Sequence, residues 1–177
     1  LVFDVGAFIG SKSMEYLSYG AFVICIEPQP SAFKQLTSAL LNHPKAVLIN
    51  KGLDSHTAQR EMYVSTKARP LSTFSETWTT TGRYSASGPS PLTCIWDKKI
   101  TVSMTTLDDL IAWYGVPQFC KIDVESYEYN VLCGLSQAIP AISIEIHTET
   151  LDNTQLCINY LRTLGNYEFN VARADEL

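Results

Sequence analysis

Three features of the chain predict an α/β fold, with a mainly parallel sheet and helices on both faces. Short, nearly continuous apolar runs such as Ala21 to Ile26, Ala46 to Ile49 and Ala141 to His147 alternate with segments of helical period. The opening Leu1-Val2-Phe3-Asp4-Val5-Gly6-Ala7-Phe8-Ile9-Gly10-Ser11-Lys12-Ser13 reads as a strand, a glycine turn and the start of a helix. Polar and ionisable residues gather at the carboxyl ends of the apolar runs, where ligands sit in open α/β sheets.

In chain order, the first helix runs from about Ser11 to Tyr19 and closes at Gly20. A buried strand, Ala21 to Ile26, ends in Glu27-Pro28, and Pro30-Ser31 opens a second helix through Leu41. Ala46 to Ile49 is the third strand, followed by Asn50-Lys51-Gly52; Arg60 to Ser65 is an additional strand. From Thr66 to Thr93 the apolar period disappears into Ser, Thr, Gly and Pro with scattered aromatics, the pattern of a lid or acceptor-recognition insert. Lys99 to Met104 resumes as a strand, and Thr106-Leu107-Asp108-Asp109 opens a helix with a capping pattern. Phe119 to Glu125 is a strand ending in two carboxylates, with a helix expected from about Tyr127 to Ala138. The strand Ala141 to His147, a helix over about Asn153 to Leu164 and a strand from Tyr167 to Val171 complete the pattern.

The 177 residues imply one domain, 1–177, with enough length for a substantial core. Hydrophobic residues at 46% and charged residues at 18% place the chain among globular proteins. A net charge of −5 without a basic cluster disfavours nucleic acid as a partner. No run reaches the roughly 18–20 apolar residues of a membrane span. Five cysteines without a C-x-x-C pair read as reduced thiols and a cytoplasmic address. The chain begins directly in one strand and stops soon after another, as expected of a core without its natural ends.

The glycine corner carries the first functional signal. A dinucleotide fingerprint would be G-x-G-x-x-G, but here Phe8 takes the middle glycine position and Asp4 ends the strand. A carboxylate there opposes a pyrophosphate and suits a ligand carrying a cation, which favours S-adenosylmethionine, with its sulfonium and ammonium, over NAD. Gly6 and Gly10 give the turn close backbone approach, and the helix start at Ser11 offers free N–H groups to a carboxylate. Glu27, 17 positions after Gly10, is placed to accept hydrogen bonds from the two ribose hydroxyls. Asn50, Lys51 and Gly52 fall beside the base. The candidate cofactor-binding set is therefore Asp4, Gly6, Phe8, Gly10, Ser11, Glu27, Asn50, Lys51, Gly52 and Asp123.

Methyl transfer to a hydroxyl needs positioning and a base for the departing proton. Asp123, Glu125 and His147 stand on neighbouring strand ends as candidates, and Lys121 shares the strand face of Asp123. Asp123 is expected to contact cofactor or acceptor while His147 or Glu125 takes the proton. Asp123, Glu125 and His147 also have the ligand types for a divalent metal, but their spacing alone does not close a site and no metal is assigned.

Taken together, five segments make the chain resemble the FkbM family of class I S-adenosylmethionine-dependent methyltransferases. They are Phe3 to Gly10, Ile26-Glu27-Pro28, Thr105 to Asp109, Lys121 to Glu128 and Ile144-Glu145-Ile146-His147. The resemblance implies a Rossmann-like three-layer αβα sandwich with an antiparallel strand near the C-terminus. It also implies O-methylation of a hydroxyl on a sugar, glycolipid or natural product, the acceptor being a small molecule or glycan. Phe8 stands where the family usually has asparagine, and Ser126 where it usually has glycine. Two other readings remain open on the residues alone: a nicotinamide-dependent oxidoreductase, and a non-catalytic binding module on a cofactor fold.

Overall fold

The computed structural model describes residues 1–172. Five strands, β1 (Val2–Val5), β2 (Val23–Ile26), β3 (Ala46–Ile49), β7 (Phe119–Ile122) and β8 (Ile142–Ile144), form one sheet in the order β3-β2-β1-β7-β8. Every pairing in it is parallel. Helices α1 (Ser11–Ser18), α2 (Pro30–Leu40), α4 (Leu107–Tyr114), α5 (Glu128–Leu132) and α6 (Leu151–Leu164) cover its two faces. The predicted fold class is the observed one.

Strand alternation divides the core. Val23, Cys25 and Ala7 pack with Leu17 of α1 and with Leu36 and Leu40 of α2. Ile24, Ile26, Phe3, Val5, Cys120 and Ile122 point the other way, into a larger core with Leu107 and Leu110 of α4, Leu132 of α5 and Cys157 and Leu161 of α6. That period of two makes β2 a continuous apolar run, because both of its faces are covered. It also fixes Asp4, between Phe3 and Val5, on the α1 face. All five cysteines are free thiols.

A smaller sheet lies beside the first. Strands β4 (Gly52–Leu53), β6 (Lys98–Thr105) and β5 (Gln59–Val64) run in the order β4-β6-β5, with β5 antiparallel to β6. Met62, Val64, Val102 and Met104 form its core, closed by Phe74 and Tyr127. The insert between β5 and β6 has structure of its own: a 3-10 turn at Arg69–Leu71, a bridge from Tyr63 to Thr73, and the short helix α3 (Glu76–Thr81). Its Trp78 is completely buried.

Three expectations change. The helix expected over Tyr127 to Ala138 is only the five residues of α5. Gly134 ends it by pressing its backbone against Asp54, where a Cβ would lie 2.3 Å from the Asp54 carbonyl oxygen. The Gly134 carbonyl instead accepts from Asp108 N at the start of α4, 2.9 Å away. The strand read through His147 stops at Ile144, and Glu145 to His147 continue without a ladder partner beyond Glu145 N to Ile122 O. The strand expected from Tyr167 to Val171, antiparallel to the sheet, does not form. Tyr167 is anchored through its hydroxyl, which donates to Ile139 O and accepts from Ile139 N, so ring packing replaces strand pairing. Antiparallel pairing among the described residues instead joins β5 to β6 and, through one bridge, Tyr63 to Thr73.

Candidate active site

The strand order reverses at β1, whose neighbours β2 and β7 lead to opposite edges; a crevice opens at the carboxyl ends on either side of such a strand. Gly6, just past β1, has φ +77°, and a Cβ there would sit 1.9 Å from the Asp123 carbonyl oxygen. Only glycine permits that approach. Phe8 (φ 50°) and Gly10 (φ 96°) complete a left-handed turn that ends at the N-terminus of α1.

Backbone of this turn is tied to the next strand by Glu27. Phe8 N donates to Glu27 Oε2 at 2.9 Å, and Gln29 N donates to Oε1 at 2.7 Å. Burial pushes the Glu27 carboxyl up to about 7; the two N–H donors and Lys121 hold it down, and the Asp4 charge adds to the rise. An acid with a folded pKa above its ordinary 4.5 holds more protons in the folded chain than in the unfolded one between those values. Its contribution to stability is therefore greatest below pH 4.5 and is lost as pH rises toward 7, a decline of about 3 kcal/mol for this group. Urea denaturation across that interval should show a shallower fall in Glu27→Gln than in the wild type. Parallel slopes would contradict the assignment.

Asp4 is wholly buried beneath the turn. Ser13 Oγ donates to its Oδ2 at 2.6 Å, and Lys121 Nζ lies 3.5 Å from its Oδ1. Lys121 also reaches Asp123 Oδ2 at 3.1 Å, giving an Asp4–Lys121–Asp123 chain across β1 and β7. Burial disfavours the Lys121 charge, but Asp123 and Asp4 together raise its pKa above the ordinary lysine value.

Beyond β7 the chain turns through two left-handed residues, Glu125 (φ 55°) and Ser126 (φ 68°). Glu128 holds that turn, since Val124 N and Ser126 N both donate to its Oε1 at 3.2 Å and Asn153 Nδ2 donates to its Oε2 at 2.8 Å. Phe8 and Ser126, the two departures from the family pattern, thus occupy backbone conformations that asparagine and glycine adopt at lower cost. Ser126→Gly should raise stability by about 1 kcal/mol in urea denaturation; an unchanged midpoint would show that the turn is unstrained.

Glu125, Glu145 and His147 converge at this edge. His147 Nε2 is 3.0 Å from Glu145 Oε2 and 3.9 Å from Glu125 Oε2, and Trp78 stacks on the imidazole with ring centres 4.3 Å apart. Burial pushes Glu125 up to about 8, with the Glu145 and Asp123 charges adding to the rise. Burial likewise lifts Asp123 to about 6, with Lys121 pulling it down and Glu145 pushing it up. Burial acts upward on Glu145 too, yet contact with His147 and Asp123 and the Lys121 charge hold it below its ordinary value. Burial opposes the His147 charge, but Glu145 and Glu125 raise its pKa.

One cavity joins the two halves, lined by Gly6, Phe8, Glu27, Asp123 and Glu125, with Arg69 and Phe74 contributed by the insert. Asp4, Gly10, Ser11, Lys121 and His147 do not line it; Asp4, Lys121 and His147 support residues that do. Ser11 is exposed, and the helix residue that bonds to the strand is Ser13. Asn50 donates to the Glu27 and Pro28 carbonyls, Lys51 lies over the Trp113 ring at 5.6 Å, and Gly52 is packed against Met104 and Phe74. These three shape the corner from outside it. Sequence reasoning missed Ser13, Trp78, Glu128 and the role of Glu145. Of these, Glu145 had a readable signal, two positions before His147 in one strand pattern.

The parallel sheet with its crevice at β1 defines a Rossmann-like α/β domain. A comparison with curated proteins found none that matches. The methyltransferase FkbM domain model, however, matches residues 4–170, and the chain belongs to that methyltransferase family. Among solved structures it is similar to methyltransferase FkbM from Methylobacillus flagellatus KT, with a TM-score of 0.61 at 18% identity. The match covers 92% of this chain and 36% of that one, so the chain spans about a third of its structural relative. Among the described residues no helix is long and apolar enough to cross a membrane.

Proposed function

We propose that the chain is an S-adenosylmethionine-dependent O-methyltransferase acting on a hydroxyl of a sugar, glycolipid or natural product. The observation that carries this is the cavity itself, which runs from a clamped, buried carboxylate at the glycine corner to a carboxylate pair at the end of β7. Glu27 retains a lone pair on each oxygen after accepting Phe8 N and Gln29 N, enough for two ribose hydroxyls. Gly6, Phe8 and Asp123 line the same space as Glu27. The residues therefore fit the cofactor, and Gly6, Phe8, Glu27 and Asp123 would hold it. When bound, it supplies an electrophilic methyl on a cationic sulfur.

The acceptor oxygen must lose its proton as it bonds to that methyl. Asp123 is the carboxylate best placed to take it, because it lines the cavity and its side chain is 38% exposed, while those of Glu125 and His147 are 13% and 9% exposed. Lys121 positions Asp123 through the 3.1 Å pair. Arg69 and Phe74 of the insert line the same cavity, which supports reading the insert as the acceptor-recognition lid. Incubation with methyl-labelled cofactor and a panel of glycan and natural-product alcohols should give labelled ether, reduced at least a hundredfold in Asp123→Asn. Label on nitrogen or carbon acceptors only, or undiminished transfer by Asp123→Asn, would overturn the reading.

A further inference from the structure

We infer that Glu125, Glu145 and His147 form a binding site for a divalent first-row transition cation. Among the described residues this trio offers one ligand atom from each side chain, all within 4.8 Å of one another. Glu125 Oε2, Glu145 Oε2 and His147 Nε2 are each buried and each without a hydrogen-bond partner. His147 Nε2 and Glu145 Oε2 face each other at 3.0 Å, and Glu125 Oε2 lies 3.9 Å from the same nitrogen; two carboxylates around one buried imidazole leave negative charge that a shared cation would balance. His147 makes the observation specific: its side chain is only 9% exposed, and its Nε2 lies against the two carboxylates rather than in solvent.

Spacing agrees with an ion. Metal–ligand bonds of about 2.0–2.2 Å put neighbouring ligand atoms about 3 Å apart and opposite ones no more than about 4.4 Å. The observed 3.0 Å and 3.9 Å separations fall inside that range. Charge agrees as well. Lys121, whose charge acts on Glu145, is already shared between Asp4 and Asp123. Two carboxylates and one imidazole suit Mn2+, Fe2+ or Zn2+ better than Mg2+ or Ca2+, which take oxygen ligands. Trp78 fixes the imidazole plane, and Thr73 Oγ1 fixes the strained turn by donating to Glu125 O at 2.7 Å. Ligand geometry is thereby set before any ion arrives.

Glu125 belongs both to this trio and to the cavity wall. A hydroxyl entering the cavity would therefore meet the ion beside Asp123, where a Lewis acid eases loss of its proton. That role rests on the methyl-transfer reading; the binding of the ion does not.

The test titrates Mn2+ into chelator-treated whole chain and follows free Mn2+ by electron paramagnetic resonance, with S-adenosylhomocysteine binding measured on the same preparation. One equivalent should bind, weakened at least tenfold in Glu145→Gln and in His147→Gln and unchanged in Glu61→Gln, an exposed acid elsewhere. Zn2+ should displace it and equimolar Mg2+ should not. In the wild-type chain, bound Mn2+ should broaden the His147 imidazole resonance, a readout that survives if a variant fails to fold. Absent stoichiometric binding, an unbroadened His147, or displacement by equimolar Mg2+ would overturn the site. Mn2+ binding without S-adenosylhomocysteine binding would sink the cofactor reading alone, and the converse would sink the metal site alone.

Discussion

Gly6→Ala should cost the fold at least about 4 kcal/mol and abolish cofactor binding. Two effects add. An alanine at φ +77° carries a penalty of about 1–2 kcal/mol. Its Cβ would also fall 1.9 Å from the Asp123 carbonyl oxygen, a backbone atom that cannot move alone. Asp123 N is bonded to Val5 O, so relief would pull β7 away from β1 at the point where the crevice opens. Native domains hold only about 5–15 kcal/mol in total. Urea denaturation would register the loss, and a Gly6→Ala chain as stable as the wild type would show that the strand ends do not approach as described.

Lys121→Met is the second large effect, at about 3–5 kcal/mol. Asp4 has no solvent exposure, one hydrogen bond from Ser13, and an Oδ1 without a hydrogen-bond donor. Lys121 at 3.5 Å is its countercharge. Removing the ammonium leaves that carboxylate buried and uncompensated, while methionine preserves most of the stem's packing. The penalty should therefore depend on the charge of residue 4. Asp4→Asn combined with Lys121→Met should recover most of the stability lost by Lys121→Met alone. A double variant no better than the single one would assign the loss to packing.

The alternation of Phe3, Asp4 and Val5 explains both what was readable in the sequence and what was not. Apolar runs and glycines disclosed the parallel sheet, because burial on both faces imposes that composition. They also disclosed which strand ends converge: Gly6, Phe8, Glu27, Asp123 and Glu125 all line one cavity. The same alternation turns Asp4 under the sheet, toward Ser13, so its carboxylate supports the turn from below. Loop residues were harder to place. Asn50 and Lys51 follow β3 as expected, yet their side chains are taken by the Glu27 and Pro28 carbonyls and by Trp113. Trp78 lay in a stretch with no period, and only tertiary packing carries it onto His147. α5 ended early because Gly134 meets Asp54, which is distant in sequence.

The positive φ angles of Phe8 and Ser126 carry a related lesson. A pattern position that favours asparagine or glycine encodes a backbone angle, and these two residues adopt that angle at the cost of some strain. Glu128 compensates at one site, through Val124 N and Ser126 N, and Glu27 at the other, through Phe8 N. Both carboxylates therefore hold the geometry of turns that flank the cavity.

Calorimetric titration with S-adenosylhomocysteine tests the central claim most directly. One site per chain should bind, with affinity lowered at least thirtyfold by Glu27→Ala, which removes the ribose acceptor and leaves Phe8 N and Gln29 N without their partner. A folded wild-type chain that binds no S-adenosylhomocysteine, or one that binds NAD(H) in its place, would contradict the account.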